Sequence, residues 1–136
     1  MGRSLILDTG VLIAYERGSI DRTTLDDDEL AIAAVTVAEF RVGIELADTA
    51  ERAAARARRL SLLLGDLVVL DYTDRTATHH AKLLAGARRA GTPRGAHDLI
   101  IAAHAAETGR TVISLDAKAK FGELPGVSSL LIERRQ

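Results

Sequence analysis

The chain of 136 residues carries 18 Lys plus Arg against 19 Asp plus Glu, a formal charge of −1, with 47% hydrophobic residues and no cysteine. That length predicts one domain, 1–136, able to bury its own core, and the apolar content excludes a disordered chain. The lack of cysteine excludes disulfide frameworks, thiolate zinc sites and cysteine nucleophiles, and the near-neutral balance excludes attraction to nucleic acid by bulk charge.

Ser4-Leu5-Ile6-Leu7-Asp8 reads as a short buried strand, and 9–17 as a helix ended by Gly18. The acidic run Asp26-Asp27-Asp28-Glu29 reads as a solvated loop. Residues 30–35 are a second apolar strand, weakened by its alanines, and 36–47 a helix. A helix over 50–64 closes at Gly65, and 67–70 is a clear β run. Helix 73–90 leads into the turn Gly91-Thr92-Pro93-Arg94-Gly95, then into a nearly all-apolar helix over 96–108 stopped by Gly109. Strands over 111–115 and 129–132 complete the series. No segment has the length and apolarity to span a bilayer, and no export signal is visible, so no membrane contact and a cytoplasmic location are expected.

Apolar strands alternating with helices predict an α/β fold, a parallel sheet covered on both faces. In such sheets ligands gather beyond the carboxyl ends of the strands. Asp8 closes the first strand and Asp116 the fourth. Glu39 falls in the first turn of the helix after the second strand, and Asp98 in the first turn of the helix before the fourth. If strands one, two and four are neighbours, these four acids converge. Two carboxylates about 4 Å apart repel by about 4 kcal/mol at an effective dielectric near 20. A cluster therefore raises its own pKa values or recruits a cation. Oxygen ligands without thiolate suit magnesium or manganese, which activate water for phosphodiester hydrolysis. Each acid also has an ordinary structural use. Asp8 can cap the following helix, Glu39 completes the capping-box pattern Thr36-Val37-Ala38-Glu39, and Asp98 and Asp116 suit a helix dipole or a turn.

Helix 36–47 has two apolar stripes, Val37, Phe40, Ile44 and Ala47 on one side and Ala38, Val42 and Leu46 on another. One side can pack on the sheet; the other calls for a helix, a second subunit or a partner peptide. Arginines cluster at Arg52, Arg56, Arg58 and Arg59, at Arg88, Arg89 and Arg94, and at Arg134 and Arg135. They read as solvated faces, or as a rim for a phosphate backbone around the acids. With 3% aromatic residues, base-stacking platforms are not expected. His79, His80, His97 and His104 lack zinc-helix spacing, and His97 borders Asp98.

In order, these motifs resemble a PIN-domain ribonuclease of the VapC type. Leu7-Asp8-Thr9-Gly10 is similar to the family's opening, Thr36-Val37-Ala38-Glu39-Phe40 to its second acidic motif, Asp98 with its small-residue helix to its third, and Ser114-Leu115-Asp116 with Phe121 to its fourth. The resemblance implies a three-layer α/β/α PIN-like domain whose mostly parallel sheet has four or five strands. It also implies a Mg2+- or Mn2+-dependent endoribonuclease, the toxin of a toxin–antitoxin module, neutralised by a VapB-like antitoxin whose C-terminal segment obstructs the site. Carried over, Asp8 and Asp98 hold the metal, with Asp116 next. Glu39 is a further ligand or orients and deprotonates water, and Thr9 and Ser114 hydrogen-bond the carboxylates or the phosphate. The pattern departs at Ala117-Lys118-Ala119-Lys120, where many relatives carry another acid or amide, and at Ser114, where Thr is usual; a second metal loses a ligand here. The two-sided helix suggests a homodimer or a bound antitoxin. The alternatives are a catalytically silent PIN-like module binding RNA or protein, and a receiver-type signalling domain using Asp71 and Lys118. A haloacid-dehalogenase-like phosphatase lacks its second Asp, since Gly10 stands there.

Overall fold

Strands β1 (Ser4–Leu7), β2 (Glu29–Ala33), β3 (Val68–Leu70), β4 (Thr111–Ser114) and β5 (Ser128–Leu131) form one sheet in the order β3-β2-β1-β4-β5. Every neighbouring pair is parallel. The computed structural model describes residues 2–115 and 119–134. Between the strands lie α1 (Thr9–Glu16), α2 (Ala34–Glu45), α3 (Ala50–Leu64), α4 (Asp74–Ala90) and α5 (Ala96–Thr108).

The apolar runs are explained by burial on both sides. Leu5 and Leu7 point into a core with Ile32, Ile113, Val11, Leu12 and Leu63, under α1, α2 and α3. Ile6 and Val112, from the alternate positions, point into the opposite core with Leu99, Ala102 and Leu83, under α4 and α5. Leu5, Ile6 and Leu7 are wholly buried, each contributing about 1.5–3 kcal/mol by its removal from water. The three-layer α/β/α arrangement and the five-stranded sheet match the sequence expectation, with the sheet parallel throughout. Helices α3 and α5 keep their expected bounds.

Two local expectations are corrected. Helix α2 begins at Ala34, with Ala33 as an N-cap that makes no side-chain hydrogen bond. Ala33 makes the last pairing of β2, opposite Leu70, and the chain turns into helix at once. Thr36 is therefore a wholly buried helix residue, so the capping box with Glu39 does not form, and Glu39 sits in the second turn. The acidic run 26–29 is also not simply a solvated loop. The β1–β2 register sets Ser4 opposite Glu29 and so brings Arg3 beside Asp28. Arg3 donates to Asp28 at 2.8 Å, and this hydrogen-bonded guanidinium holds the Asp28 carboxyl below the usual carboxylate range. Glu29 opens β2 and pairs with Arg110.

On α2, Val37 and Phe40 pack against the α1–α3 core. Among the described residues the second stripe has no cover: Val42 and Leu46 are 54% and 78% exposed. Among the described residues no helix is long and apolar enough to cross a membrane.

His104 lies wholly inside, on α5, and among the described residues neither ring nitrogen has a hydrogen-bond partner. Burial pushes its pKa below the ordinary 6.5, against weaker upward pulls from Glu107 and Asp71. The folded ring thus holds a proton less tightly than the unfolded one. The associated stability is present above 6.5 and is lost as pH falls from that value toward the folded pKa. The thermal midpoint is expected to drop as pH falls below 6.5, and His104→Leu to flatten that slope. An unchanged slope in the variant would remove His104 as its source.

Candidate active site

Because all five strands are parallel, their carboxyl ends share one edge of the sheet. Helices that return across the sheet bring their N-termini to that same edge, where the positive end of the dipole favours carboxylates. Asp8 follows β1 and N-caps α1, its Oδ1 accepting from the Val11 amide at 2.9 Å. Its own amide donates to the Ile113 carbonyl at 3.2 Å, which ties this turn to β4. The capping use of Asp8 is therefore real. It leaves the residue at the strand's carboxyl end, 8% exposed.

Thr9, the first residue of α1, donates from Oγ1 to Glu39 Oε1 at 3.0 Å. His97, in the first turn of α5, sets Nδ1 3.0 Å from the same Oε1. Asp98 follows it in that turn, beyond the N-cap Gly95. A Cβ at Gly95 would lie 3.3 Å from Asp98 Oδ2, so this carboxylate folds back over the bare glycine backbone. The linkage Asp8–Thr9···Glu39···His97–Asp98 gathers three of the four expected acids through the chain neighbours of two of them. Ser114, buried at the end of β4, abuts this region through the strand pairing beside β1. Asp116 lies outside the described residues, as do Ala117, Lys118 and Arg135.

Among the described residues no group of three or more His, Cys, Asp or Glu side chains could hold a metal by itself. The donors at this edge are nonetheless hard carboxylate oxygens, which fit magnesium or manganese rather than a thiolate-seeking ion.

A groove of about 540 Å3 opens beside the site between α1, α2 and α3. Thr9 and Glu39 belong to its lining, Ile13, Phe40 and Leu60 supply apolar surface, and Arg56 and Arg59 supply charge. The first arginine face is partly engaged. Arg52 pairs with Asp48 at 2.6 Å, Arg56 donates to the Gly43 carbonyl at 2.5 Å, and Arg59 lies 4.0 Å from Glu16.

Arg94 leaves the expected basic cluster. Its side chain is only 12% exposed and donates to the carbonyls of Ala119 and Lys120 at 2.5 and 3.1 Å, with Glu123 at 3.7 Å. It straps the entry of α5 to the segment after β4, a contact across 25 residues that no local sequence pattern signals.

A family model for the PIN domain matches residues 5–125. The chain belongs to the PIN-domain family. Ribonuclease VapC5 of Mycobacterium tuberculosis is 37% identical over 131 residues, covering 95% of this chain and 93% of its own. The tRNA(fMet)-specific endonuclease VapC of Salmonella typhimurium is 32% identical over 110 residues, covering 79% of this chain and 78% of its own. Among solved structures, VapBC-5 from M. tuberculosis, a member of the VapBC family of toxin–antitoxin systems, matches with a TM-score of 0.74 at 31% identity. That match covers 96% of this chain and 98% of the other. Within the PIN family the chain thus groups with VapC-type proteins.

The rearranged role of Arg94 has a direct consequence. Arg94→Met is expected to cost about 1–3 kcal/mol of stability in urea unfolding, since it removes hydrogen bonds from a mostly buried cation. Substituting the exposed Arg88 in the same way should leave stability within about 0.5 kcal/mol. Equal stability of both variants would show the strap to be energetically idle.

Proposed function

We propose that the chain is an endoribonuclease that hydrolyses RNA phosphodiester bonds with Mg2+ or Mn2+, and is the toxic member of a toxin–antitoxin pair. The observation that carries this reading is the linkage of Asp8, Glu39 and Asp98 at the carboxyl edge of a PIN-domain sheet through Thr9 and His97. The ribonuclease names of its VapC relatives support it. A receiver-type domain fits less well. Asp71 follows β3, an edge strand, with β2 between it and the strand that ends at Asp8.

In this reading Asp8 and Asp98 hold the metal, and Asp116 joins them. The bound cation supplies Lewis acidity toward a phosphate oxygen and lowers the pKa of water. Glu39, held at Oε1 by Thr9 and His97, orients the attacking water and accepts its proton. Ser114 steadies the carboxylates by hydrogen bonding. Arginines bordering the groove take the RNA backbone, and shape rather than base stacking directs the choice of substrate.

A VapB-like antitoxin is the proposed partner, acting with the toxin in the cytoplasm. The groove between α1, α2 and α3 shares Thr9 and Glu39 with the site, so an occupant there obstructs it. The uncovered Val42 and Leu46 on α2 support a homodimer.

Purified wild type is expected to cleave RNA in Mg2+ or Mn2+, to stop in EDTA and to resume when Mn2+ is restored. Asp8→Asn and Asp98→Asn are expected to fall to background, and Glu39→Gln to lose about 10²–10⁴ in rate. Expression of the wild type alone should arrest bacterial growth, and both Asn variants should relieve the arrest. Cleavage that persists in EDTA, or in Asp98→Asn, would overturn the metal mechanism.

A further inference from the structure

Two side chains meet on one oxygen of Glu39. Thr9 Oγ1 and His97 Nδ1 each lie 3.0 Å from Oε1, and among the described residues Oε2 receives no hydrogen bond. Thr9 hydrogen-bonds Oε1 and the His97 ring abuts the same oxygen, so the carboxylate is held on that side. The two residues come from the starts of two different helices, α1 and α5, and each is the chain neighbour of another acid of the site. His97 is half-exposed and makes no other polar contact among the described residues. Its ring therefore contributes to this one contact rather than to the core. Of the two residues, Thr9 belongs to the motif that follows the first acid, whereas His97 stands outside every acidic motif.

We propose that His97 is a positioning residue for Glu39. Its Nδ1–H fixes Oε1, so that Oε2 is reserved for the cation or for a water beside it, and it sets the spacing between the Glu39 and Asp98 carboxylates. The bond requires only the tautomer, or the cation, that carries a proton on Nδ1. The proposal rests on the metal-dependent reading above and assigns to it one further residue. It makes His97 act wholly through Glu39.

The test pairs Mn2+ binding with RNA cleavage in the full chain. Wild type, His97→Ala, His97→Asn, Glu39→Ala and the double variant His97→Ala with Glu39→Ala are titrated with Mn2+ by electron paramagnetic resonance. Each is also assayed on RNA under steady-state conditions. His97→Ala is expected to weaken Mn2+ binding or lower kcat about tenfold, the effect of removing a hydrogen bond to a group that serves a metal. KM for RNA should stay within about twofold. His97→Asn, which keeps a donor at the δ position, should recover most of the loss. In the Glu39→Ala background the His97 substitution should change neither quantity, because effects carried by a single partner do not add. Thermal midpoints of wild type and His97→Ala should agree within about 4 °C, as for an exposed side chain.

Two results would overturn the proposal while cleavage by the wild type continues. One is full Mn2+ affinity and kcat in His97→Ala. The other is an equal His97 loss with and without Glu39. A wild type that binds Mn2+ but cuts no RNA would overturn the nuclease reading instead, and the Mn2+ titration would still decide the role of His97.

Discussion

The pairing of β1 between β2 and β4, all parallel, is the constraint on which the site depends. It sets the exits of three strands side by side on one edge. Asp8 leaves β1 there, α2 starts there with Glu39 in its second turn, and α5 returns to it with Asp98. Carboxylates brought to one sheet edge repel where they approach one another, and donors and helix N-termini offset that repulsion. The structure supplies several: the Val11 amide on Asp8, the Thr9 hydroxyl and the His97 ring on Glu39, and the N-terminus of α5 under Asp98. A divalent cation is the remaining partner in the proposed mechanism.

The overall charge of −1 conceals how differently the charges are used. Arg3 and Asp28 fasten the start of β1 to the entry of β2, and Arg110 fastens the start of β4 to Glu29. Both pairs lie at the edge opposite the site, where they secure the strand order that the site requires. Arg94 is spent on carbonyls near the site and is withdrawn from any RNA rim. In the proposed function, phosphate would meet the arginines of α3 beside the groove and those in the last turn of α4.

Most of the fold was legible because periodicity and turn residues report it directly. A parallel strand buried on both faces must be an apolar run, as Leu5-Ile6-Leu7 is, and Gly91 and Gly109 end their helices in the left-handed region at φ of 65° and 73°. The start of α2 was misplaced because Val35 favours a strand, while the end of β2 is set by where its partner β3 stops pairing. For the same reason Thr36 looked like a cap and proved to be a core residue.

The sequence by itself determined the layer architecture, the series of acids and the family, since each is written in local pattern and motif order. Only the tertiary structure decided what each side chain touches. Glu39 answers to Thr9 and His97, 30 and 58 residues away, rather than to Thr36 on its own helix. Arg94, which reads as one more surface cation, turns inward to carbonyls 25 and 26 residues on. The physical reason is common to both. A hydrogen bond between distant segments is selected by strand order and helix entry, and no spacing along the chain encodes it.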